Sequence, residues 1–269
     1  MEKTKVLFVS QEITPYLPEN EMSLISRNLP QGIQEKGKEI RTFMPRYGCI
    51  NERRNQLHEV IRLSGMNLII DDTDHPLIIK VASIQAARMQ VYFIDNEDYF
   101  HRKFVLSDEN GKFYDDNDER AIFFARGVIE TVKKLRWEPD IIHCHGWFTS
   151  LVPLYIKKAF KEDPLFANSK VIYSVYNDDF DNKFNSSFKK KIKVEGITDK
   201  DILTLKTANY ENITKLAIQM SDGIIIGNEK INPKIMKYIV DSKKPILEHK
   251  SQEELVDSYS DFYDSFLKK

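Results

Sequence analysis

The chain has only two cysteines in 269 residues, Cys49 and Cys144, which excludes a disulfide framework. No apolar run approaches the roughly 18 residues needed to cross a bilayer, so no membrane contact through a spanning helix is expected. Neither charge is in excess: 40 basic and 41 acidic side chains leave a formal net charge of -1. That balance removes any general electrostatic reason to bind nucleic acid or an anionic membrane. Nothing matches a P-loop, a Gly-X-Ser-X-Gly elbow, a zinc ribbon or a dinucleotide fingerprint, and no cofactor is expected. Residues 1–5 lead directly into the short apolar run 6–9, which is too brief for a signal peptide and lacks a cleavage site. A cytoplasmic chain is predicted, in which the glycosylation-like sequences at Asn185 and Asn212 carry no sugar.

What is present suffices for a full core, with 41% hydrophobic and 30% charged residues. Short apolar runs at 5–10, 39–44, 141–144, 170–175 and 223–226 read as strands, with a weaker one at 245–248. Helices are expected at 21–36, which Pro30 should end or kink, and at 118–137, with Asp118 as N-cap. Further helical stretches fall at 148–160, 202–220, 232–241 and 252–267. Between 57 and 95 the runs 60–63, 68–70, 77–83 and 89–94 follow one another without a helix, which predicts a β-hairpin excursion. The polar stretch 177–201 carries Lys183, Lys189, Lys190, Lys191 and Lys193 and reads as a mobile, solvated loop. Strands alternating with helices predict an α/β fold with one doubly wound, mostly parallel sheet over a single domain, 1–269.

Chemistry-bearing residues gather at the end of the run 141–144, in His143, His145 and Trp147. Ligands of open parallel sheets sit beyond the carboxyl ends of strands, so a site is expected there. His143 and His145 share one face of a strand. No third ligand stands at a suitable spacing, and no metal is expected. The pair is open to two readings, a structural one bonded to its neighbours and a sugar-contacting one. Trp147 reads as helix–sheet core, with stacking against a pyranose ring, alongside Tyr176, as the alternative. Cys144 and His145 are adjacent on a strand and point to opposite faces, which argues against a nucleophile–base pair. Asp71, Asp72 and Asp74 lack the glycine and distal glutamate of a calcium loop and read as a hairpin turn.

Met44-Pro45-Arg46-Tyr47-Gly48 follows the second strand. Val91-Tyr92-Phe93-Ile94-Asp95 precedes Tyr99-Phe100-His101-Arg102, and Tyr114-Asp115-Asp116-Asn117 precedes Glu119-Arg120, Phe123-Phe124 and Arg126. With His143-Cys144-His145-Gly146-Trp147, and in this order, they resemble the N-terminal, acceptor-side domain of bacterial glycogen and starch synthases, glycosyltransferase family 5. The resemblance implies a Rossmann-like domain, one half of a GT-B architecture, whose family builds α-1,4-glucan from ADP-glucose or UDP-glucose. The family's donor-binding domain is expected to be absent from residues 1–269.

The sequence departs from the family pattern at the chemistry. The family's Lys-X-Gly-Gly loop aligns, through Glu12, Pro15, Leu29 and Pro30, with Pro18, Glu19, Asn20 and Glu21. Glycine there would let the backbone approach a pyrophosphate, whereas two carboxylates repel a polyanionic donor. The Asp of the family's His-Asp-Trp is Gly146, and the His of its Thr-Ile/Val-His-Asn is Tyr176, in Ser174-Val175-Tyr176-Asn177. Losing one transition-state stabiliser costs about 10²–10³ in rate, so no catalytic role is assigned at Pro18, Gly146 or Tyr176. The resemblance leaves His143, His145, Trp147, Tyr176 and Asn177 as candidate sugar contacts. Three functions stay open: a glucan- or partner-binding relative without autonomous transfer, the acceptor half of a split synthase completed by a separate donor-domain chain, and an interaction module with no carbohydrate role.

Overall fold

The short apolar runs pair into a ten-stranded sheet in the computed structural model, which describes residues 3–267. The strands are β1 (Lys5–Ser10), β2 (Glu39–Pro45), β3 (His58–Glu59), β4 (Met66–Ile70), β5 (Thr73–Ile84), β6 (Met89–Asp95), β7 (Ile141–His145), β8 (Lys170–Val175), β9 (Gly223–Ile226) and β10 (Ile246–Leu247). Their order is β10-β9-β8-β7-β1-β2-β6-β5-β3, with β4 paired to β5. From β10 to β6 every pairing is parallel, while β5 is antiparallel to β6, β3 and β4. The chain leaves β1 towards β2 and later returns to its other side as β7. The topological switch therefore lies between β1 and β7, where doubly wound sheets open a crevice.

The helices are α1 (Glu21–Glu35), α2 (Glu97–Phe100), α3 (Asn117–Leu135), α4 (Leu151–Leu154), α5 (Phe188–Lys191), α6 (Tyr210–Met220), α7 (Pro233–Asp241) and α8 (Leu255–Leu267). α1 and α8 pack together on one face of the sheet, and α3, α4 and α6 form a contiguous layer on the other, with α7 against α6. Close approach of α1 and α8 depends on Gly32: a Cβ there would lie 2.4 Å from a methyl of Val256. Ion pairs Lys36–Asp257 (2.6 Å) and Lys38–Asp264 (2.9 Å) flank this contact. The closing helix thus packs back on its own domain.

Several local expectations give way. α1 runs unbroken through Pro30, because Ile25, Leu29 and Ile33 on its buried side hold both halves to the sheet while one backbone hydrogen bond is forgone. α3 begins one residue earlier than expected, after Asp116, and Asp118 lies inside the helix with its carboxylate on the Glu119 N–H at 2.8 Å. Residues 60–63 form a turn, and the strand there is the two-residue β3. The stretch 148–160 is three short pieces, a 3-10 turn (Trp147–Thr149), α4 and a π turn (Tyr155–Ala159), with Pro153 unable to donate to the ladder. Residues 202–206 are turns, and α6 starts at Tyr210, capped by Asn209 accepting from the Asn212 N–H at 3.0 Å.

The stretch 177–201 is anchored to the domain along its length. Phe180 and Phe184 pack on Trp147 and on Phe113, with ring centroids 4.7–6.2 Å apart, and Phe188 follows from α5. Lys191 is buried and pairs with Asp118 at 3.1 Å and Glu119 at 2.6 Å. Lys190 reaches Asp71 and Asp72 on the hairpin turn, at 3.6 and 3.2 Å. No helix of the described residues is long and apolar enough to cross a membrane.

Candidate functional site

The alternation of β7 puts His143 and His145 on the α8 face and Cys144 on the other. Their rings stand 3.8 Å apart and are fully buried. His143 Nδ1 and the Tyr263 hydroxyl are hydrogen-bonded at 2.6 Å, and His143 Nε2 and the Ser174 hydroxyl at 2.7 Å. His145 Nδ1 meets the Tyr176 hydroxyl at 2.8 Å, while its Nε2 finds no partner. Burial, and then the neighbouring His145, hold His143 well below the usual histidine range; burial pushes His145 down to about 3. Both rings are therefore neutral near pH 7. Trp147 is buried under Phe180 and Phe184, and Tyr176 is buried beside His145. Of the candidate sugar contacts only Asn177 is exposed.

Beyond the carboxyl ends of β1, β7, β8 and β9 lies a cleft of about 330 Å³. Its acidic lining is Glu12, Glu21, Asp178 and Asp179, joined by Gln11, Asn20, Asn177 and Asn228. No lysine or arginine is among the described residues that line it. Asp178 accepts from the Trp147 N–H at 2.8 Å and the Tyr210 hydroxyl at 3.0 Å. Burial nevertheless pushes its carboxyl up to about 7, with the Glu12 charge adding to the rise.

The four positions of the substituted loop separate. Pro18 accepts from the Ser23 hydroxyl through its carbonyl at 3.1 Å and lies outside the cleft. Glu19 faces a different hollow, on the far side of the loop. Asn20 caps α1: its side-chain oxygen accepts from the Ser23 N–H at 2.8 Å, and its own N–H donates to the Ser23 hydroxyl at 2.9 Å. Its amide also donates to Glu12. Glu21 enters the cleft, held by the Asn228 amide and by His249 at 2.6 Å. The helix N-terminus, a ready anion site in other folds, is here partly filled by its own capping box.

Gly146 has φ +83° and ψ 164°, a conformation essentially reserved for glycine. A Cβ there would lie 2.8 Å from Met22 Cε and 2.9 Å from Gln11 Oε1. Gln11 Oε1 in turn accepts from the Phe148 N–H at 3.0 Å. A side chain at this position would therefore strain the backbone and displace the ends of Met22 and Gln11. No group of three or more His, Cys, Asp or Glu side chains among the described residues is placed to hold a metal ion.

Residues 5–239 match the family model described as the starch synthase catalytic domain. The chain belongs to this family. Glycogen synthases of Chlorobium limicola and Chlorobaculum tepidum are 39% and 40% identical to it over 174 residues. In each case the match takes in 64% of this chain and 36% of the relative, so the chain spans about a third of the length of these curated relatives. The catalytic domain of starch synthase IV from Arabidopsis thaliana, bound to ADP and acarbose, superposes with TM-score 0.73 at 16% identity. The superposition covers 92% of this chain and 51% of that one, and it shows the fold: one Rossmann-like half of a GT-B architecture.

Sequence reasoning located the junction after β7 but missed Glu12, Asp178, Asp179 and Asn228. The pair Asp178-Asp179, directly after Tyr176-Asn177 at the end of a strand, was a usable signal. Tyr259 and Tyr263, which close the histidine pair from α8, carried none.

Proposed function

We propose that this starch-synthase-family domain binds neutral α-1,4-glucan in the cleft between β1 and β8 and does not by itself transfer glucose from a nucleotide sugar. One observation carries the reading: at the switch point the cleft presents four carboxylates and no cation. Carboxylates and amides accept from and donate to sugar hydroxyls, as the convergent groups of a small-molecule site do. Glu12, Glu21 and Asp179 repel a diphosphate, which needs the positive charge that this loop has exchanged for Pro18. A separate donor-domain chain would still meet Met22 and Gln11 packed around Gly146, which counts against a split synthase.

Two assays test it. Electrophoresis through glycogen-containing gels should retard the wild-type chain, and Glu12→Gln combined with Asp179→Asn should restore its mobility. Incubation with ADP-glucose or UDP-glucose and glycogen should release no nucleoside diphosphate above background. Unretarded migration of the wild type would leave an interaction module with no carbohydrate role, and sustained release would overturn the loss of transfer.

A further inference from the structure

The hollow on the far side of the 14–21 loop has a different character from the cleft. Its volume is about 560 Å³, and it lies between that loop, the outer side of α1, the turn after β2 and the end of β5. Arg27, on α1, and Arg54, in the turn, both line it, so two separate elements each contribute an arginine to one hollow. No carboxylate of the described residues lies within ion-pair distance of either. Arg27 donates to the Asn28 side-chain oxygen at 2.8 Å, a neutral partner. Asn55 and Gln85 add amides and Ser83 a hydroxyl, and Tyr16 is nearly buried at the base. Glu19 is the only acid among the described residues that line the wall, which leaves them a formal charge of +1.

We propose that this hollow is a binding site for a small phosphorylated sugar, separate from the glucan cleft. Guanidinium groups suit a phosphate monoester because their fixed N–H forks donate two hydrogen bonds to its oxygens. Two of them oppose its two charges, while Glu19 opposes binding. The amides and the serine hydroxyl match the hydroxyls of the sugar.

The test titrates the full chain with glucose 6-phosphate, followed by ³¹P NMR, with inorganic phosphate and glucose as separate arms. Saturable binding of glucose 6-phosphate is expected, with inorganic phosphate at least about tenfold weaker and glucose unsaturable. Arg27→Gln and Arg54→Gln should each weaken binding by about tenfold, and Glu19→Gln should strengthen it severalfold. These side chains sit at the surface, so thermal unfolding of the variants should match wild type. Absence of saturable binding, binding unchanged by both arginine variants, or inorganic phosphate binding as tightly as the sugar phosphate would each overturn the proposal. Glu12→Gln should leave the titration unaltered, which separates this site from the glucan reading.

Discussion

The Tyr263 hydroxyl stands 2.6 Å from Nδ1 of His143, joining the last helix to the strand that carries the family's histidine pair. A group that reads as active-site chemistry in the sequence is thereby made part of the core, closed on one side by α8 and on the other by Ser174. Tyr263→Phe keeps the ring and removes the bond, leaving a buried imidazole nitrogen without its partner. A loss of about 1–2 kcal/mol in urea unfolding is expected, with the circular dichroism of the native state unchanged.

The buried pair also sets a pH dependence. His143 and His145 have folded pKa values below their unfolded value of about 6.5, so between that pH and about 3 the unfolded chain binds protons that the native one refuses. Stability therefore falls as pH drops below about 6.5. Asp178 acts oppositely: raised to about 7, it takes up a proton in the folded state first, and stability on its account rises as pH falls towards 4. Between pH 6 and 4.5 the two histidines outweigh the one aspartate. Denaturant titrations should show Asp178→Asn losing stability more steeply than wild type over this range, by about one proton.

Gly146→Asp restores the family residue and should not restore its chemistry. The substitution forces a side chain into a left-handed backbone and onto Met22 and Gln11. A stability loss of about 2 kcal/mol or more is expected from thermal unfolding, with nucleoside diphosphate release still at background. Gly146→Ala should lose a large part of the same amount, since the positive-φ backbone disfavours any side chain.

Lys191 pins the 177–201 segment through Asp118, whose carboxylate is fully buried. Burial raises the Asp118 carboxyl even with Lys191 beside it. Lys191→Met strands that charge and should cost about 3 kcal/mol. Hydrogen exchange should quicken across 184–192, and adding Asp118→Asn should recover part of the loss.

How far the sequence could be read varies along the chain for identifiable reasons. β1, β8 and β9 were legible to the residue because parallel strands buried on both faces are continuous apolar runs. The packing of 177–201 was hidden by its lysines, although Phe180, Phe184 and Phe188 recur at a spacing of four and mark one face. Asn209, which the expected helix over 202–220 passes over, is the cap that sets the start of α6. The closure of the histidine pair was not legible, since Tyr263 meets His143 across 120 residues of separation. Nor was the divergence of Glu19 from Glu21, which follows from the turn into the Asn20 capping box and not from their charge.

Crystals soaked in ADP test the loss of the donor site most directly, because they report where a diphosphate lodges and not merely whether the chain binds one. The expected result is no ordered diphosphate against Glu21, Gly146 and Asn177. An ordered nucleoside diphosphate in that cleft, with its phosphates on the α1 N-terminus, would contradict it.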